Sequence, residues 1–217
     1  MHSLILLTLL PLLKAFVVPD GLCKFNKDSY TGGWYELSSS DLIGNTIEAG
    51  CKCPVAYYTA NATSGNIDIT NSCIRNQQFY SVNGTLYSLG DNVPQGNLYA
   101  DVGNMNGNMN ENMNGNMNGN MNGNSGGNGS NGTNYIVLKL WYEHEQNDNS
   151  PQYALVGGPT ENFWWLLSRT PNWNDTIWYN ANYVLQGYEY NVTGFRVPEQ
   201  TCQFFGSHGK NLIPPSS

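Results

Sequence analysis

The chain has 217 residues and a formal charge of −7, from 9 basic and 16 acidic side chains, with only 12% of its residues charged. No segment clusters Lys or Arg, so the counterion release that drives binding to nucleic acid has no basic surface to act through. The 14 tyrosines and 6 tryptophans, set against so little charge, suit a β-rich domain with aromatic packing.

Met1 to Leu13, MHSLILLTLLPLL, is apolar and interrupted by Pro11. It falls short of the about 20 residues that a bilayer span needs. It reads as a secretory leader over residues 1–18, cut after Ala15 or Val18, and the mature protein is expected outside the cell. The five cysteines that follow, Cys23, Cys51, Cys53, Cys73 and Cys202, are expected to form two bridges with one thiol left over. Asn-x-Ser/Thr sequons at Asn61, Asn83, Asn128, Asn131, Asn174 and Asn191 agree with that route. No later segment carries a transmembrane or glycolipid-anchor pattern, and the tail 206–217 is polar. Peripheral contact with a membrane and the oligomeric state stay open.

Short strands bounded by turn residues then follow one another: Gly33 to Ser38, Cys53 to Asn61, Asn66 to Ile74 and Phe79 to Leu89. Ile67-Asp-Ile69-Thr shows the period of two most clearly. Turn chemistry is read at Thr63-Ser-Gly65-Asn66, Val82-Asn-Gly84, Pro94-Gln-Gly96 and Gly157-Gly-Pro159. A fifth strand, Gly96 to Val102, leads into residues 103–133, where the four-residue repeat Gly-Asn-Met-Asn decays into Gly, Asn and Ser. Widely spaced methionines among Asn and Gly bury too little apolar surface to offset chain entropy, so this segment is expected to be a disordered insertion. As such it is a tolerated surface expansion, or else a fringe that screens a ligand entrance.

Beyond it come Tyr135 to Glu143, Gln152 to Gly157 and Phe163 to Arg169. One helix is predicted, Thr176 to Gln186, capped by Asn174 or Asp175 and stopped by Gly187, with Ile177, Trp178, Val184 and Leu185 on a partial apolar face. Eight strands in meander order with no helices between them predict one all-β domain over 19–205. It is an eight-stranded antiparallel up-and-down β-barrel with the C-terminal helix packed outside.

Gly32-Gly-Trp34-Tyr-Glu36 on the first strand resembles the opening signature of the lipocalins. Two further blocks strengthen the likeness to the apolipoprotein D and bacterial outer-membrane lipocalin group. Tyr153 to Pro159 with Trp165 to Pro171 resembles that group's last two barrel strands. Cys53 to Tyr58 with Gly65 to Asn71 resembles its second and third. The resemblance implies a barrel closed at one end by Trp34, with Arg169 of the last strand lying over the indole. It implies a Cys53 to Cys202 bridge, while Cys51 competes for the same place and Cys23 can close on Cys51 or Cys73. It also implies a ligand cavity touched by Tyr58 and Trp165, with Ala56 nearby. Strand alternation counted from Arg169 adds Phe163 and Leu167 to the inner side and turns Trp164 and Leu166 outward.

The function this implies is a secreted carrier that binds a small apolar ligand inside the barrel, such as a fatty acid, lysolipid, sterol, retinoid or bilin, without a cofactor or metal. Catalysis finds little support, because His144 and His208 sit in no nucleophile or metal spacing and Cys51-Lys-Cys53 suits disulfides better than zinc. The alternatives are a barrel enzyme using a reduced, inward Cys51 or Cys73 on a lipid or isoprenoid, and a filled barrel that serves as an interaction module.

Overall fold

The computed structural model describes residues 15–102, 133–143, 150–205 and 211–213; for 203–205 and 211–213 only the backbone is considered. A short helix α1 (Lys27–Tyr30) precedes strand β1 (Gly32–Ser40), which runs directly into helix α2 (Asp41–Asn45). Then come β2 (Lys52–Ala60), β3 (Ile67–Arg75), β4 (Gln78–Ser88), β5 (Asn97–Val102), β6 (Tyr135–Trp141), β7 (Tyr153–Gly157) and β8 (Trp164–Ser168). Helix α3 (Asp175–Gly187) and strands β9 (Phe195–Arg196), β10 (Gln203–Phe205) and β11 (Asn211–Ile213) complete the chain.

Strands β2 to β8 pair antiparallel in chain order, and β1 closes the ring by pairing with both β8 and β2. The result is the eight-stranded up-and-down barrel expected from the sequence. Strand β9 sits outside it on the end of β1, with Ser39 opposite Arg196. Bulges in β1 between Glu36 and Ser38, in β2 between Lys52 and Val55, and in β6 between Val137 and Lys139 let strongly bent strands keep their pairing. At the β2 bulge Cys53 takes a left-handed φ of 51°, held by its N–H on the Glu199 carbonyl at 2.7 Å.

One predicted turn is not a turn. Asn83-Gly84 lies inside β4, with Gly84 opposite both Ile69 and Val102. Gly is needed there for close approach: a Cβ at Gly84 would stand 2.5 Å from the Asp101 carbonyl oxygen. The tight hairpin instead falls at Asn76 and Gln77, both with left-handed φ of 51° and 61°, between the paired Arg75 and Gln78.

The period of two divides the barrel's side chains as the pleat requires. Trp34, Tyr58, Ile67, Ile69, Leu86 and Leu98 share the interior core. Leu37, Ile136, Leu155, Trp164 and Leu166 face the opposite way, onto Ala181 and Leu185 of α3. Asn174 caps that helix by accepting from the Ile177 N–H at 3.1 Å. The stop differs from expectation: Gly187 is still helical, the Tyr188 N–H turns back onto Val184 and Leu185, and Glu189 supplies the left-handed residue at φ 64°.

Two short helices escaped the sequence reading, and both cover barrel ends. Helix α1 has Asn26 as its cap, and α2 is capped by the Ser40 side chain. Each is a single turn with almost no periodicity to detect.

Candidate functional site at the two ends of the barrel

At the end where β1 begins, the interior is sealed by stacked aromatic and cationic groups. Gly32 takes a φ of 95° and turns the chain from α1 into β1. Trp34 follows, 1% exposed, its indole N–H donating to the Tyr30 carbonyl at 2.8 Å. The Arg169 guanidinium carbon lies 3.7 Å from the centroid of that indole ring. Arg169 also donates to the carbonyls of Gly33 and Ser29, both at 3.0 Å, and of Pro151 at 3.2 Å. One side chain therefore ties β1, α1 and the β6–β7 connection together. Burial pulls its pKa down to about 10, which still leaves it charged at neutral pH.

Above the indole, three tyrosines from distant elements meet. The Tyr135 hydroxyl lies 2.7 Å from that of Tyr30 and 2.8 Å from that of Tyr58. Burial pushes the Tyr58 phenol up to about 12 and the other two well above their usual value, so all three stay neutral. Tyr58 is thus inside the barrel, 2% exposed, with its hydroxyl engaged by protein. With Ala154 and Val156 at 0% exposure in the same core, the lower interior is filled.

The opposite end is different in character. Alternating strand direction puts the β1–β2, β3–β4, β5–β6 and β7–β8 connections there. Ala56 and Leu167 line the interior wall below it, and Trp165 packs against the same core while only partly buried. Phe163 sits edge-on to Trp165 with ring centroids 5.0 Å apart. The structure thus sets Trp165 and Phe163 toward the mouth, Leu167 below them opposite Glu36, Ala56 level with Trp34, and Tyr58 deeper still.

Helix α2 and the turn after it, residues 41–51, form a lid over this mouth. Cys51 at its end is bonded to Cys73 of β3, and the Arg75 guanidinium donates to the lid's Ile47 carbonyl at 3.1 Å. Glu48 hangs from the lid and accepts from the Trp165 indole N–H at 3.3 Å. Arg196 of β9 approaches the Glu48 carboxylate at 3.7 Å and donates to the backbone carbonyls of Glu48 and Cys51.

Beneath the lid lies Glu36, 3% exposed, paired across the sheet with inward Leu167 and on the same face of β1 as Trp34. Its Oε1 meets no hydrogen-bond donor among the described residues. Burial, and then the neighbouring Glu48 carboxyl, hold Glu36 well above the usual carboxylate range. A like charge beside a buried carboxyl disfavours its ionised form, as burial does.

Sequence reading did not single out Tyr30, Tyr135, Glu48 or Arg196, and treated Glu36 only as part of a signature. For Glu36 a signal existed, since the period of two from Trp34 sends it inward. The second bridge is Cys53 to Cys202, and Cys23 is an exposed free thiol. His144, His208 and residues 103–132 lie outside the described residues, whereas Thr133 is buried and donates to the Leu98 carbonyl at 2.9 Å. Two open clefts lie on the outer surface, one of about 200 Å³ between α2 and the β7–β8 connection, the other of about 490 Å³ across β3, β4 and β5. Among the described residues no group of three or more His, Cys, Asp or Glu side chains is placed to hold a metal ion.

No protein-family model matches the sequence, and no curated protein matches it. Solved structures do match in fold. Lobster apocrustacyanin A1 superposes with a TM-score of 0.51 at 17% identity, over 87% of this chain and 93% of that one. Crustacyanin H1 from the lobster Homarus americanus gives 0.51 at 16% identity, over 87% and 92%. The fold is the lipocalin fold. Within that fold the barrel has a filled floor, a lidded mouth and two disulfides on the mouth side.

Proposed function

We propose that this protein is a secreted lipocalin that binds and carries a small hydrophobic molecule in the mouth half of its barrel, without catalysing a reaction. One observation carries the reading. From Ala56, level with the floor residue Trp34, the inner wall rises through Leu167 to Trp165 and Phe163, which are only partly buried under a lid made of one short helix and a turn. Burying about 300 Å² of a ligand there contributes about 7 kcal/mol before association costs, which suits micromolar or tighter binding. Fatty acids, lysolipids, sterols, retinoids and bilins all match such a wall by shape.

The bridge from Cys53 to Cys202 supports the likeness to the apolipoprotein D group, in which a cysteine at the first position pairs with one near the end of the chain. Two disulfides in one small domain support an oxidising, extracellular setting. The enzyme alternative needs a reduced Cys51 or Cys73, and these two are bonded to each other.

The test is titration of the purified full chain with neutral, anionic and cationic apolar fluorophores, following energy transfer from tryptophan. Saturable uptake of at least one, weakened in Trp165→Ala, is expected. Uptake of none would favour the filled-barrel reading.

A further inference from the structure

An acidic side chain inside an apolar barrel is costly, and β1 places Glu36 there with the hydrophobic Leu167 directly opposite. The lid adds a second carboxyl: Glu48 Oε2 is likewise buried without a hydrogen-bond donor, its closest cation being Arg196 at 3.7 Å. The charged groups acting on Glu36 are Glu48 from the lid and Arg196 from β9. Three ionisable groups with a single cation among them leave one carboxyl without a counter-charge.

We infer that the ligand is an apolar molecule bearing a protonated amine, whose ammonium group lies against Glu36 and Glu48 beside the Trp165 indole. An ammonium supplies donors to Glu36 Oε1 and Glu48 Oε2, which have none among the described residues. Trp165 already points its N–H at Glu48 from 3.3 Å, so the edge of its indole borders the same place, and Phe163 packs on Trp165 beside it. The protein's net charge of −7 draws cations toward it. A fatty acid would bring a third carboxyl to the pair, and a simple alcohol brings no positive charge to it. The inference rests on the calyx reading above.

The experiment compares dodecylamine, dodecan-1-ol and dodecanoic acid, below their aggregation limits, by isothermal titration of the full chain at pH 7. The amine is expected to bind about tenfold or more tightly than either of the others, the factor a charge-assisted hydrogen bond supplies. Titration in two buffers of different ionisation enthalpy should show up to one proton released per amine bound, because Glu36 gives up its proton to the solution. Glu36→Gln should abolish both the preference and the release while still binding dodecan-1-ol. Equal binding of the three compounds, or amine binding without proton release, would overturn the amine assignment and leave the calyx reading intact. Binding of none would overturn both.

Discussion

Arg169 lies with its guanidinium 3.7 Å from the Trp34 ring centroid, and its three backbone acceptors belong to three separate segments of the chain. The stacking alone is worth about 0.5–2 kcal/mol. The hydrogen bonds make the residue a staple, since losing it strands the carbonyls of Ser29, Gly33 and Pro151 together. Arg169→Met is expected to destabilise the fold by about 2–4 kcal/mol in urea denaturation. Arg169→Lys should recover only part of this, because a point charge cannot reach three carbonyls and lie flat on an indole. A loss under about 0.5 kcal/mol for the Met variant would remove the staple role.

Gly32 meets the same side chain. A Cβ there would sit 3.2 Å from an Arg169 nitrogen, at a φ of 95° that other residues rarely adopt. Gly32→Ala should cost about 1–3 kcal/mol in the same measurement, and an unchanged midpoint would show that the turn relaxes without strain.

The three floor tyrosines make stability depend on alkaline pH. Their folded pKa values are raised while the unfolded chain titrates near about 10. Their contribution is therefore complete below about pH 10 and is lost as pH rises through the folded values, about 12 for Tyr58. Absorbance titration of tyrosinate should show three groups appearing only with unfolding. Tyr135→Phe, which removes both hydroxyl contacts, should cost about 1–3 kcal/mol at pH 7. Smooth titration of every tyrosine near pH 10 with the fold intact would contradict this account.

Glu36 has the same sign of linkage at a lower pH. Its folded pKa is raised above the unfolded value of about 4.3, so its contribution is present below that value and is lost as pH rises through the folded one. Glu36→Gln keeps the shape and removes the proton cost, so the melting temperature of the ligand-free protein should rise relative to wild type more at pH 8 than at pH 4. A pH-independent difference would mean that the carboxyl is solvated.

The disulfides differ in the loops they close. Cys51–Cys73 spans 22 residues and Cys53–Cys202 spans 149. Loop-closure entropy assigns them about 3 and about 5 kcal/mol respectively. The Cys53→Ser/Cys202→Ser double variant should thus lose more stability than Cys51→Ser/Cys73→Ser. The latter should instead loosen the lid, read as faster hydrogen exchange over residues 41–51. Equal losses and unchanged exchange would count against this assignment.

The barrel was legible because each strand announces itself locally. Ile67 and Ile69 alternate with Asp68 and Thr70, and α3 carries its own cap at Asn174. The Asn83-Gly84 pair misled as a turn because its glycine serves a neighbouring strand, not its own hairpin. For Asn76-Gln77 the signal is weaker: Asn76 accepts a left-handed φ readily, but Gln77 takes the place where a glycine would have announced the hairpin. Helices of four and five residues leave no periodic trace.

What local sequence determines here is therefore the set of strands, their order, the outer helix and the inward or outward sense of each side chain, all consequences of repeat period and turn chemistry within a few residues. The tertiary structure alone decided which distant groups meet: Cys51 with Cys73, Tyr30 with Tyr58 through Tyr135, and Glu36 with Glu48 under Arg196. Those meetings depend on barrel closure, bulge positions and a lid folded back over the mouth. They join residues as far apart as 105 and 148 positions, beyond the reach of any local pattern.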